Sequence, residues 1–162
     1  YIGTFSKTLY PGLRMGYMVL PCELVKPFAY ARSMMDGHTP QTLQLTLARF
    51  MEDGHYNAHV RAMRKLYAGR RSIMHDAIGK YLSTVVTAEL PPGGLQIPCL
   101  LKAGWSEEKT IRQAATAGVQ LSGLSGLYAG EPKQQGWLLG YSSLTAYEIE
   151  AAMLRLANAL KI

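Results

Sequence analysis

The sequence predicts an α/β chain whose second half is α+β, and three features carry that reading. Two short apolar segments frame a polar loop at the start, one long amphipathic stretch fills the middle, and short alternations of strand and helix follow Pro91-Pro92-Gly93-Gly94. Residues 1–5 read as a strand because aromatic and β-branched side chains alternate with small ones. A Ser/Thr/Pro/Gly-rich loop, 6–14, leads to a second strand, 15–20, which Pro21 ends by removing a backbone donor. Residues 23–35 have helical periodicity, with Pro27 either in the first turn or delaying the start, and Gly37 marks the end. Pro40 opens the next helix, where Leu43, Leu47 and Phe50 share a face until Gly54. Met34 and Met35 read as core.

From 55 to about 82 the apolar positions Val60, Met63, Tyr67, Met74, Ile78 and Tyr81 recur at helical spacing. At about 1.5 Å per residue this stretch spans roughly 40 Å, enough to link two lobes, so a lobe boundary is expected inside it. Beyond the glycines, 95–101 is extended and 106–117 helical, with Glu107 and Glu108 in its first turn and Gly118 after it. Residues 119–121 and 136–141 are predicted strands joined by a Gly/Ser-rich connection. Thr145 and Glu148 form an S/T-x-x-E capping box ahead of Ile149, Met153, Leu156 and Leu160, which predicts a C-terminal helix. No internal repeat or low-complexity tract is present.

With 162 residues, 48% of them hydrophobic, the chain can bury a sizeable core in one or two domains. A formal charge of +6 favours anionic ligands but is too dispersed to identify nucleic acid by itself. Cys22 and Cys99 have no zinc-type spacing and make no disulfide framework, which fits a reducing, cytoplasmic setting. The longest apolar runs, such as 15–20, fall far short of the roughly 20 residues of a membrane helix. The chain opens on Tyr1 with a strand already in progress, and it is expected to be a piece of a larger protein.

The chemistry lies in the first loop. Thr4-Phe5-Ser6-Lys7-Thr8-Leu9-Tyr10-Pro11-Gly12-Leu13-Arg14-Met15-Gly16-Tyr17 sets hydroxyls, one lysine and one arginine between two strands. A lysine partly desolvated beside another cation has a lowered pKa, which frees its amine to attack a carbonyl. Arg14 adds a planar, permanently charged fork suited to phosphate, and Thr4 and Ser6 can donate further hydrogen bonds. Such a set suits an aldehyde that also bears a phosphate. Pyridoxal 5′-phosphate is such a molecule. The ordinary alternative is a solvated loop lysine with Arg14 paired to a carboxylate.

The loop resembles the S-x-S-K-x-x-x-P-G-x-R-x-G-Y element of fold-type I pyridoxal-phosphate enzymes, the aspartate aminotransferase superfamily, with Thr4 in place of the usual serine. The resemblance implies that Lys7 forms the Schiff base and shuttles protons, and that Thr4, Ser6 and Arg14 bind the cofactor. Phe50-Met51-Glu52-Asp53-Gly54-His55-Tyr56, then His59 to Tyr67, Arg70-Arg71, Gly93-Gly94-Leu95-Gln96 and Trp137 to Ser142, are similar to the aminotransferase-like region of MocR-type regulators, a branch of the GntR family. Those proteins join an N-terminal winged-helix DNA-binding domain to a fold-type I domain, and relatives in sequence are 2-aminoadipate or kynurenine-type aminotransferases. The implied architecture is the C-terminal portion of such a transferase: 1–58 the end of the large cofactor-binding lobe, 59–162 the linking helix and small lobe. A homodimer, an amino-acid or amine effector or substrate, and DNA contact only through a separate N-terminal domain are implied likewise.

The sequence departs from the family at Leu138, where many aminotransferases carry the arginine that grips the substrate carboxylate. The family's aspartate for the pyridine nitrogen and the aromatic residue over the ring lie upstream of the lysine, ahead of Tyr1. Elsewhere, His55 and His59 are spaced i, i+4, but Tyr56 stands where H-E-x-x-H has its glutamate and no third ligand is indicated, so no metal is expected. Arg61, Arg64, Lys65, Arg70 and Arg71 form the only dense basic run and read as a solvated or subunit-facing surface. Residues 122–128 read as a flexible loop that could border a substrate pocket.

Overall fold

A computed structural model describes residues 1–37 and 40–162. The chain divides into two units, Tyr1–Ala62 and Met63–Ile162. In the first, strands β1 (Ile2–Thr4) and β2 (Gly16–Met18) pair antiparallel with Thr4 opposite Gly16, so the polar loop is the connection of a hairpin. Both strands are shorter than the sequence predicts, because two strands alone offer few partners for pairing. Glycine permits their approach: a Cβ on Gly16 would lie 2.9 Å from the Gly3 carbonyl oxygen.

Helices α1 (Cys22–Asp36) and α2 (Gln41–Glu52) follow, as expected. Pro27 lies in neither expected place but six residues into α1. It removes the hydrogen bond that would reach the Glu23 carbonyl, a loss confined to one bond near the helix start. The core expectation for Met34 and Met35 is not met: they are 71% and 84% exposed, and α1 buries no residue. In α2, Leu47 is buried whereas Leu43 is 40% exposed. Helix α3 (His55–Tyr81) is the long helix of the sequence reading, 27 residues, and its first eight residues belong to the first unit.

The second unit is an antiparallel sheet of order β3-β4-β6-β5, made of β3 (Val86–Ala88), β4 (Gln96–Leu101), β5 (Ser122–Gly123) and β6 (Gly136–Gly140). Ile97 and Cys99 of β4 and Trp137 and Leu139 of β6 alternate into a core completed by Met74, Ala77 and Ile78 of α3, Ala114 of α4 (Glu107–Thr116), and Ile149, Met153, Leu156 and Leu160 of α5 (Ala146–Leu160). An all-antiparallel sheet packed on helices is the α+β arrangement expected of this half. The expected strand at 119–121 is displaced to Ser122–Gly123, and β3 is an addition to the sequence reading. The capping box forms in full: the Thr145 side chain accepts from the Glu148 amide and Glu148 accepts from the Thr145 amide at 2.7 Å. The two cysteines are free, and burial pushes the Cys99 thiol up to about 12. Among the described residues no helix is long and apolar enough to cross a membrane.

Candidate functional site

Lys7 sits in the turn that leaves β1. Extended backbone ends at Thr4 because the chain folds back on itself: the Phe5 amide donates to the Met15 carbonyl at 3.0 Å, and the Leu9 amide to the Phe5 carbonyl at 2.8 Å. These bonds close the two ends of the loop and wind one helical turn around the lysine. Thr4 and Ser6 are in contact, hydroxyl to hydroxyl at 3.1 Å, and the Ser6 amide donates to Thr4 Oγ1 at 3.2 Å. Thr4 thus acts as a local cap for the turn, a job that serine or threonine does equally well.

On the returning limb, Pro11–Leu13 forms a 3-10 turn whose Leu13 side chain is buried, and Arg14 follows in the left-handed region with φ 50°. For a residue with a Cβ that conformation costs on the order of 1 kcal/mol. It is held by the Arg14 amide bond to the Pro11 carbonyl and by the bond from Phe5 to Met15 beside it. The fold therefore brings Thr4, Ser6, Lys7 and Arg14 onto one hairpin connection. Lys7 and Arg14 are both exposed, and among the described residues neither has a carboxylate partner. The partial desolvation expected of Lys7 is not met, and of the ordinary alternative the solvated loop lysine is found whereas, among the described residues, the arginine–carboxylate pair is not. A free amine, a free guanidinium and a hydroxyl pair remain chemically suited to an aldehyde that bears a phosphate.

The same unit supplies groups that the sequence reading weighed otherwise. His59 shares no metal cluster among the described residues; its ring meets the Thr8 carbonyl. Tyr56, from the same helix, reaches the Thr8 hydroxyl. The signal was their three-residue spacing on a helix, but their partner lies about fifty positions away.

Within the second unit, Leu138 is half-buried in β6 between Pro98 and Ser122. Two members of the basic run are partly buried and bonded within the unit: Arg70 donates to the Ser142 carbonyl, and Arg71 to the Pro91 carbonyl at 2.8 Å. Glu107, expected only as a helix-dipole partner, is buried and accepts from the Ser125 hydroxyl, the amides of Leu124 and Ser125, and the Gly136 amide at 2.8 Å. Burial opposes its ionisation, yet those donors together hold the carboxyl below its ordinary value. The loop 122–128 is accordingly tied down at Leu124 and Ser125.

No protein-family model matches the chain. It is 36% identical over 145 residues to a probable rhizopine catabolism regulatory protein MocR of Rhizobium meliloti, covering 89% of this chain and 29% of that one. It is 34% identical over 159 residues to the uncharacterized HTH-type transcriptional regulator YhdI of Bacillus subtilis, covering 98% of this chain and 34% of that one. Among solved structures, the α-aminoadipate aminotransferase LysN of Thermus thermophilus, complexed with N-(5′-phosphopyridoxyl)-L-leucine, matches with a TM-score of 0.89 at 27% identity, over 99% of this chain and 41% of that one.

Fold and hairpin together define the class, a fold-type I aminotransferase-like chain. Within that class its sequence relatives are MocR-type regulators and aminotransferases, and the chain spans about a third of the length of the curated regulators it matches.

Proposed function

We propose that this chain is the pyridoxal-phosphate-binding, aminotransferase-like effector segment of a GntR/MocR-type transcriptional regulator. The observation that carries the reading is the hairpin connection, which holds on one loop an exposed lysine, a bonded hydroxyl pair and an exposed arginine, in a chain related to helix-turn-helix regulators. Bound there, pyridoxal phosphate supplies an aldehyde for covalent attachment and an electron-withdrawing ring. Lys7 would offer its Nζ as the attachment point and would hold and move a proton at that atom. Arg14 grips phosphate through its fork, and Thr4 and Ser6 donate hydroxyl hydrogen bonds to the same group.

In this reading residues 1–58 end the large cofactor lobe, and 59–162 comprise the linking helix and small lobe, a division supported by the two units meeting at Ala62 and Met63. The effector is an amino acid or amine. With Leu138 where an arginine would grip its carboxylate, recognition of that group falls to other residues. The full-length protein is a cytoplasmic homodimer that contacts DNA through a separate N-terminal winged helix.

The test uses the full-length protein with its cofactor, the intergenic DNA beside its own gene, and a panel of amino acids and amines. DNA affinity is expected to change with one class of effector, and the change should vanish in Lys7→Ala. Steady transamination between an amino acid and a 2-oxo acid, with no DNA binding, would overturn the regulator reading in favour of a free-standing aminotransferase acting on an amino acid such as 2-aminoadipate.

A further inference from the structure

The turn that carries Lys7 is gripped from a segment about fifty residues away. The Tyr56 hydroxyl donates to Thr8 Oγ1 at 3.2 Å, and His59 Nε2 lies 3.0 Å from the Thr8 carbonyl oxygen. A carbonyl oxygen only accepts, so Nε2 is the protonated ring nitrogen in this contact. Tyr56 and His59 are three apart at the start of α3 and so share a face of that helix. On the other side of the lysine, the Phe5 ring meets Tyr56 edge-on at 6.0 Å between centroids and Tyr17 at 5.4 Å. One tyrosine therefore touches the residue two before Lys7 and the residue just after it. Neither Tyr56 nor His59 belongs to the set that faces phosphate.

We propose that Tyr56 and His59 are positioning residues for Lys7, fixing the backbone on both sides of it so that its amine is presented in one direction. Lysine has four rotatable side-chain bonds, and a backbone that also wandered would spread the amine over many more positions; covalent capture depends on holding it near attack geometry. The proposal rests on the reading that Lys7 attaches pyridoxal phosphate. It adds that attachment depends on a contact with the helix that leads into the second unit.

The experiment compares full-length wild type, Tyr56→Phe, His59→Ala, His59→Gln and Lys7→Ala with two probes. Pyridoxal 5′-phosphate has the aldehyde, whereas pyridoxine 5′-phosphate keeps ring and phosphate but cannot attach to lysine. Tyr56→Phe and His59→Ala are each expected to weaken pyridoxal phosphate binding about tenfold, the scale of one hydrogen bond, and to slow borohydride-fixed labelling of Lys7. Binding of pyridoxine 5′-phosphate should stay at the wild-type level, and His59→Gln, which keeps an N–H donor, should recover most of the loss. Equal weakening towards both probes, or no change towards either, would overturn the positioning role. Lys7→Ala separates the two levels of the argument: undiminished pyridoxal phosphate binding in that variant would sink the underlying reading as well.

Discussion

Lys7 and Arg14 differ in what they can offer an anion. The lysine brings a point charge and a nucleophile on a flexible stem, and the arginine a rigid fork at a backbone position held in the left-handed region. Arg14→Lys keeps the charge but removes the fork. In the full-length protein we expect it to weaken pyridoxal 5′-phosphate binding by about 1–3 kcal/mol. Binding of pyridoxal, which has no phosphate, should hardly change. Titrating both forms by their absorbance checks this, and an equal loss for the two would assign Arg14 to holding the hairpin. At this scale the hairpin connection that carries the proposed site was legible in the sequence because Thr4, Ser6, Lys7 and Arg14 lie within eleven residues. Tyr56 and His59 were not, because their role exists only once α3 folds onto the turn.

Among the elements, α4 depends most on one ionised group. Glu107 stands at the first position of the helix, where a carboxylate is favoured, and its oxygens collect the amides of Leu124, Ser125 and Gly136 with the Ser125 hydroxyl. Its folded pKa is depressed, so its stabilisation is fully present above the unfolded value of about 4.3 and is lost as pH falls through the lower folded value. Glu107→Gln keeps the shape but loses the charge-assisted bonds and turns an acceptor into a donor facing amides. We expect it to cost about 1–3 kcal/mol at neutral pH, with the gap to wild type narrowing as the medium is acidified below pH ~4. Denaturant melts across that range provide the check; a gap that does not narrow would mean that the ionised carboxylate is not what ties the loop. Elements were legible where their signals are local. The capping box at Thr145 and Glu148 and the periodicity of α3 follow from neighbours in sequence. Strands β3 and β5 were missed or displaced because pairing with Cys99 or Trp137 selects their residues, and Met34 and Met35 misled because apolar spacing says nothing about whether a partner surface is present.

For the whole molecule, the two units differ in how well they are covered. The second has a continuous core around Trp137, Ile97 and Leu156. The first leaves Tyr1, Ile2, Val19 and much of α1 exposed, and its sheet has only two strands, both edges open to pairing with another chain. A chain that spans about a third of its curated regulator relatives is expected to need the remainder for tight cofactor binding. We therefore predict that these 162 residues alone bind pyridoxal phosphate weakly and self-associate through the β1–β2 edges, while the full-length protein sediments as a dimer. Submicromolar binding with turnover by the isolated chain would contradict the first part, and a full-length monomer at micromolar concentration the second.

The central claim is that Lys7 is the residue to which the cofactor becomes attached. Its most direct test is borohydride reduction of the full-length protein loaded with pyridoxal phosphate, followed by peptide mapping of the pyridoxyl label. The account predicts label on Lys7 in the wild type and none in Lys7→Ala. Label on another lysine, or retained labelling in Lys7→Ala, would contradict it.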